Sequence, residues 1–381
     1  MTWKFVKFED VFAFKKKSNY KAKDGLDFGK YPFYTSSTGV SKFINDYDYY
    51  GKSLIFGTGG KASIHFCSDK FSTTADCIVA QPKNDKLIET YFYYLYLRYN
   101  IHLLENGFRG AGLKHISKNY ISKIRIPLPP LQDQIQIVEI LSKAENLILK
   151  RKESIHLLDD LLKSTFLEMF GDPVKNEKGW EKKKLNEVCS KITDGTHDTP
   201  ERIEKGIKFI TGKHIVPFFI DFNNSDYVTE EEHKIIFKRC NPEFGDILYT
   251  NIGVNLGTAA INSVHYEFSM KNVALLKNHS SMIESHFLVH LLNFTKYKNL
   301  ILRKASTGGA QKFMSLKQIR NIMILVPPLT LQAKFSEIVK KVESIKTKYE
   351  SDLTELDNLY GSLSQKALKG ELDFINNEVE N

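Results

Sequence analysis

Few side chains in this sequence are spaced for chemistry. The glycine run Phe56-Gly57-Thr58-Gly59-Gly60-Lys61-Ala62 is the nearest approach to a phosphate cradle. Ala62 stands where a Ser or Thr hydroxyl would have to face magnesium, and the upstream glycine is missing, so the run predicts a tight turn and not a nucleotide site. His65 and Cys67, or His197 and His214, could start a metal site, but no tetrahedral set with the usual ligand spacing forms around them. Methyl transfer to an exocyclic amine would need an aromatic-flanked Asn/Asp-Pro-Pro-Tyr clamp. The only proline pairs follow Leu128 and Val326, at helix starts. Asp221, Asp226 and Glu230 do not form a nuclease set with a lysine and read as loop surface. The expectation is therefore no catalytic residue, no metal and no cofactor of the chain's own.

Charge points to binding. The 381 residues carry a formal charge of +9, from 54 basic and 45 acidic side chains. Residues 131–170 and 331–369 together hold 12 basic and 13 acidic side chains, so the positive excess lies entirely outside them. A nucleic acid or another polyanion is the natural partner of such a surface. Cys67, Cys77, Cys189 and Cys240 are far apart and read as reduced thiols. The N-terminal Met1-Thr-Trp-Lys-Phe-Val has no signal-peptide pattern and no 18-residue apolar run follows, so a cytoplasmic chain that does not span a membrane is expected.

The elements that must position a binding surface are set by a repeat. Over residues 110–164, nineteen of fifty-five positions are identical to those 198 residues later, without a gap. Pro129-Pro130-Leu131 pairs with Pro327-Pro328-Leu329, Gln134 with Gln332, and Leu158-Asp159 with Leu356-Asp357. A fixed internal repeat sets the domain plan, and here it means two copies of one module. Each copy enters a long proline-free run through a proline pair, which is tolerated only at a helix start. Ile338, Val342, Ile345, Tyr349, Leu353, Leu356, Tyr360, Leu363 and Ala367 recur at three and four, as do Ile140, Ala144, Leu147, Arg151, Ile155, Leu158, Leu162 and Phe166. Helices of about 38 residues are roughly 57 Å long, too long for one small domain to bury. Pairing with each other, antiparallel and about an approximate two-fold axis, is favoured because the tether makes it intramolecular. Two separate protrusions that dimerise with other chains are the alternative.

In order, residues 1–125 form a first globular module, 126–170 the first long helix, 171–179 a linker, 180–325 a second module, 326–369 the second long helix and 370–381 a short frayed tail. Trp3 to Val11 and Trp180 to Val188 open the two modules alike, and the second is 21 residues longer before its proline pair. Strands are expected at Ser53–Phe56, Asp76–Ala80, Ile207–Ile210, Gly245–Thr250 and Asn272–Leu276, and helices near residues 89–104 and 284–297. The fold class is α+β, with like ends and unlike middles.

This combination resembles the specificity subunit of type I restriction-modification systems over essentially the whole chain. Asp194-Gly195-Thr196-His197, the Gly206-Ile-Lys-Phe-Ile210 strand, Gly245-Asp246-Ile-Leu and the Gly309-Ala-Gln311-Lys312 loop are similar to features of that family's target recognition domains. The first module departs from the pattern, with Gly51-Lys-Ser-Leu-Ile and no Asp-Gly-Thr-His. The resemblance implies a non-catalytic protein whose two target recognition domains each read half of a split double-stranded DNA target. The helix pair would set the spacer. Two adenine-N6 methyltransferase subunits would dock around it, two restriction subunits would complete the nuclease, and methyl donor and ATP would belong to those partners. Base reading needs Arg, Asn or Gln at base edges while Lys holds phosphate. That singles out Arg109 and Lys114 in the first module and His197, Lys213, His214, Gln311 and Lys312 in the second. A protein-binding scaffold, and a DNA-acting enzyme with an unrecognised site, remain the competing readings.

Overall fold

The proline pairs do start helices. In the computed structural model, which describes residues 3–278, 281–305 and 313–372, the long helices span Leu131–Phe170 and Leu329–Lys369. One buried side chain roots each. The Gln134 amide donates to the carbonyls of Leu87 (3.0 Å) and Pro129 (2.9 Å) and accepts from the Glu89 N–H at 2.8 Å. Gln332 repeats this with Met282 (3.0 Å), Pro327 (2.7 Å) and Glu284 (2.9 Å). A buried amide that satisfies three main-chain groups is specific in a way that an apolar residue is not.

The chain divides into two compact units, Met1–Lys152 with Ser351–Asn381, and Glu153–Glu350. The division passes through both long helices, so each unit holds a module and one half of each helix. Within the first unit Glu145 accepts from the Tyr360 hydroxyl at 2.6 Å, and Arg151 meets Asp352 at 3.2 Å. Within the second, Lys346 meets Asp159 at 2.7 Å. As numbers rise along one helix they fall along the other, so the pairing is antiparallel. The seam differs from expectation by one position towards the middle of each helix. Leu147 and Ile345 are 55% and 41% exposed, while Ile148 is buried and Lys346 half-buried. The reason is that the first turns also face their own module, where Ile137, Leu141, Phe335 and Val339 are buried, which rotates the apolar stripe.

In the first unit the strand Lys4–Lys7 pairs with Arg125–Leu128 and ties the module's two ends together. Inside lies a four-stranded antiparallel sheet, ordered Phe12–Phe14, Cys77–Pro82, Ser53–Gly57, Ser63–Cys67, beside a mixed three-stranded sheet of Lys42–Ile44, Tyr31–Tyr34 and Ser72–Thr73. The helix Thr90–Tyr99, capped by the Glu89 carboxylate, covers it with Phe92, Tyr93 and Leu97 buried. Gly370, at a φ of 75°, stops the second long helix, and Trp3 lies so close that a Cβ there would sit 2.8 Å from its ring. Leu372 packs on the same core. The first residues of the expected tail are thus held in place, and residues 373–381 lie outside the described residues.

The second unit repeats the plan. Glu181–Lys184 pairs with Met323–Val326. The four-stranded sheet is Lys191–Asp194, Val273–Lys277, Ile247–Thr250, Ala259–Ile261, and the three-stranded one is Asp226–Val228, Ile207–Thr211, Ser269–Lys271. The short hairpin Ile215–Val216 with Phe219–Ile220 and the helix Glu230–Arg239 are additions without a counterpart in the first unit. Gly171, at a φ of 77°, ends the first long helix, and the Trp180 indole donates to the Phe170 carbonyl at 2.8 Å. The module's covering helices are Ser285–Asn293 and Thr295–Ala305.

The departure of the first module from the Gly-Asp-Ile-Leu pattern has a physical account. Lys277 and Asp246 form a buried ion pair at 3.0 Å across adjacent strands. At the matching place Gln81 donates to the Ser53 hydroxyl at 2.9 Å. Each pair satisfies its own partners, and neither half can be exchanged alone.

Two outcomes are expected. Gln332→Ala orphans one buried N–H and two carbonyls and should cost about 2–4 kcal/mol in urea unfolding, at roughly 1–3 kcal/mol per buried unsatisfied group; a loss below about 0.5 kcal/mol would show that the amide is not the root of the helix. Burial holds the His290 and His286 imidazoles down to about 4, His290 next to His286 and His286 near Lys340. Both are neutral in the folded state and free to protonate when unfolded. Their stabilisation is complete above about 6.5 and is lost as pH falls towards 4. His290→Leu should flatten that acid limb in thermal melts at pH 7 and pH 4.5, and an unchanged limb would refute the assignment.

Candidate nucleic-acid interface

In the second unit the strand Ile207–Thr211 runs into a tight turn, Gly212–His214. His214 pins this turn from inside. Its Nδ1 accepts the Thr211 N–H at 2.9 Å, and the side chain is only 3% exposed. Burial, with Lys213 adjacent, lowers its pKa, so the ring is a neutral acceptor. His214 therefore departs from the expected surface role, because its acceptor is used to close the turn that presents Lys213.

Lys213 opens onto a cleft of about 450 Å³ formed with Arg202, Lys271, Asn272 and the turn Ile252–Asn255. The Arg202 Nε and the Lys213 Nζ each lie 3.1 Å from one oxygen of Asp226, so one carboxylate sets the positions of two cations. Lys271 donates to the Thr199 hydroxyl. The Asn255 amide donates to the Gly212 and Ile215 carbonyls at 3.2 and 3.1 Å, which locks the two turns to each other and leaves Val254 fully exposed at the tip. The cleft is thus a rigid concavity with three cations, two amides and one exposed apolar tip, and these are the groups that read base edges and phosphates.

Each residue of Asp194-Gly-Thr-His197 has a structural reason. Asp194 is buried and takes the Arg239 guanidinium at 2.7 Å. A Cβ on Gly195 would fall 2.0 Å from the Met270 carbonyl, so no other residue fits. Thr196 caps the Asp198 N–H at 3.1 Å. His197 bridges the second Asp194 oxygen (3.0 Å) and the side-chain oxygen of Asn272 (2.9 Å), at the cleft edge. Gln311 and Lys312 lie outside the described residues; Phe313, next in the chain, bridges Ile252 of the cleft turn.

The first unit presents its counterpart differently. The glycine run is the turn of a hairpin, with Gly57 opposite Ser63. His115 bridges both Gly59 and Arg109, the place that Phe313 holds 198 residues later. Arg109 and His115 exchange main-chain hydrogen bonds of 3.0 and 2.9 Å, and Gly110, at a φ of 140°, turns the tip that carries Lys114. Arg109 and Lys114 are both exposed. Around them stand Ser36 and Thr58, whose hydroxyls donate to the Asp76 carbonyl at 2.8 and 2.7 Å.

Arg202, Lys271, Asn255 and Asn272 were not foreseen from sequence. Asn272 alone left a faint signal, as a polar residue opening a predicted strand; it adopts a φ of 52° there. Among the described residues no group of three His, Cys, Asp or Glu side chains could hold a metal. Burial raises the Cys77 thiol to about 11 and the Cys189 and Cys240 thiols to about 12, which keeps them protonated. No described helix is long and apolar enough to cross a membrane.

Two α+β modules on paired helices, each with exposed polar turns, define a class of two-headed recognition proteins. Residues 1–157 and 177–356 match the type I restriction modification DNA specificity domain. The chain belongs to the specificity (S) subunit family of type I restriction-modification systems, and as such is a DNA-recognition subunit and not an enzyme. Its relatives include the MjaIX specificity subunit of Methanocaldococcus jannaschii, 24% identical over 310 residues that cover 76% of this chain and 70% of the relative. The EcoDI specificity subunit of Escherichia coli is 24% identical over 380 residues, covering 90% and 83%. A crystal structure of the S subunit from M. genitalium shares the fold with a TM-score of 0.65 at 18% identity, over 96% of both chains.

If Arg202 reads a base edge, Arg202→Ala should weaken binding to the target duplex by about 1–3 kcal/mol and leave random duplex nearly unchanged. Equal loss on both duplexes in a titration would make it a phosphate contact instead.

Proposed function

We propose that each module reads one half of a bipartite double-stranded DNA target. The modules are residues 1–125 and 180–325, and the spacer segments that contain the long helices are 126–170 and 326–369, joined by the linker 171–179 and followed by the tail 370–381. What supports this most is the pairing of one frame with two unlike reading surfaces. The exposed turns carry Arg109 and Lys114 with hydroxyls in the first unit, and a cleft brings together Arg202, Lys213, Lys271 and two asparagines in the second. A frame repeated so closely has no need of different polar surfaces unless two different half-sites are read.

The near-neutral helices are then spacer and docking post. Helices of 40 and 41 residues are about 60 Å long, enough to span half-sites about one duplex turn, roughly 35 Å, apart. Two adenine-N6 methyltransferase subunits dock on this frame, and two restriction subunits complete the nuclease in the cytoplasm. Methyl donor and ATP belong to those partners. Arg109, Lys114, Lys213 and His197, with Gln311 and Lys312 from the loop ahead of Phe313, are the side chains assigned to the DNA.

Mapping methylated adenines across the genome of cells that carry this subunit should reveal one split motif, and deleting the subunit should abolish methylation there. Methylation unchanged by the deletion would refute the proposal.

A further inference from the structure

The positive charge of the second module is gathered in one stretch. Residues 295–320 hold seven lysines and arginines and no aspartate or glutamate, whereas the matching residues 97–122 hold four and one glutamate. The stretch is anchored to the reading cleft at two places. On the helix Thr295–Ala305, Lys298 donates to the Thr258 hydroxyl at 2.7 Å, and Leu302 lies against Gly257, both in the hairpin that carries the cleft turn. Further on, Phe313 bridges Ile252, and the Met314 N–H donates to the Asn251 carbonyl at 2.8 Å.

Described residues of the stretch on either side of residues 306–312 line a second cleft, of about 360 Å³. Lys304, Lys317 and, from the strand Glu181–Lys184, Lys182 stand around it, with the amides of Gln318 and Asn321. All three lysines are exposed, and none has an acidic partner among the described residues. By contrast Arg202 and Lys213 in the reading cleft are already held by Asp226. Cations fixed by a carboxylate discriminate geometry, while unpaired lysines on flexible stems suit phosphates, which carry no sequence information.

We propose that Lys182, Lys304 and Lys317 grip the sugar-phosphate backbone beside the bases that the second module reads, and that this module supplies most of the sequence-independent affinity. The inference rests on the DNA-reading function proposed above and adds a division of labour to it. The apolar floor of the cleft would also admit an acidic segment of a partner protein. Duplex DNA is favoured because the same stretch is fastened to the reading cleft and is wholly without acid.

The test uses the full chain assembled with its methyltransferase subunits, and K182Q/K304Q/K317Q beside K182R/K304R/K317R. Binding to a duplex with the mapped target and to a scrambled duplex is measured between 50 and 200 mM KCl. Each phosphate contact contributes about 0.9 to the slope of log affinity against log salt, so the glutamine variant, which removes three, should lose about 2.7 from that slope. It should lose affinity for both duplexes by the same factor, about tenfold or more, with their ratio kept. The arginine variant should retain the slope and shows that the sites tolerate substitution. An unchanged slope overturns the proposal, and so does a loss confined to the target, which would make the lysines base readers. Unchanged DNA binding with loss of the methyltransferase subunits would assign the cleft to an acidic protein segment and overturn it equally. A wild-type complex that fails to tell target from scrambled duplex would instead refute the bipartite-reading function, and the slope would still decide the lysine face.

Discussion

The architecture depends on how a long helix is fixed to a small module at one end. A helix of 40 residues that leaves a module through a flexible joint could not hold anything at a defined distance. Gln134 and Gln332 solve this with one amide each. Each binds the carbonyl of the first proline of its own pair, a carbonyl in the loop before the module's covering helix, and the N–H of the residue that starts that helix. The start of the long helix and the start of the covering helix become one rigid corner. Since an amide must place its donor and acceptor correctly to satisfy all three groups, the corner admits one geometry.

With the corner and the closing strand pair set, the interior of each module is free to differ. The buried Lys277–Asp246 pair and the neutral Gln81–Ser53 pair stand at one place in one sheet. The second module inserts a hairpin and a helix while the sheet order is kept. What changes with them is the polar surface: hydroxyls and a glycine-turned loop in the first unit, carboxylate-held cations and asparagines in the second. The scaffold absorbs the variation because the reading groups sit on turns between strands whose register the frame already determines.

Legibility in the sequence follows the same division. The repeat, the helix starts, Gln134 with Gln332 and most of the strands were readable because they rest on periodicity and proline chemistry, which act locally. The seam near Leu147 and Ile345 was read one position out, since periodicity shows that a stripe exists but not that its first turns serve the module core. The sequence assigns His214 to DNA contact, and only the fold shows that its Nδ1 closes the Gly212–His214 turn. Arg202 lies in a loop with no pattern, and what makes it a cleft residue is Asp226, a residue that reads as plain loop surface. Cleft membership is decided by contacts between turns far apart in sequence, and a local pattern has no access to them.

The two units also differ in how the chain builds them. The second, Glu153–Glu350, is continuous, and Phe166 and Phe170 at the end of the first long helix enter its aromatic core with Phe287 and Phe335. The first closes only when Ser351 and the residues after it return, bringing Tyr360 to Glu145, Ala367 and Leu368 to the core, and Gly370 under Trp3. Its core therefore depends on contacts spanning almost the whole chain, whereas the buried core clusters of the second are drawn from residues within 153–350. Non-local closure is slow because the loop entropy is lost before the contacts form. The first core is thus the one whose closure carries the larger entropic cost.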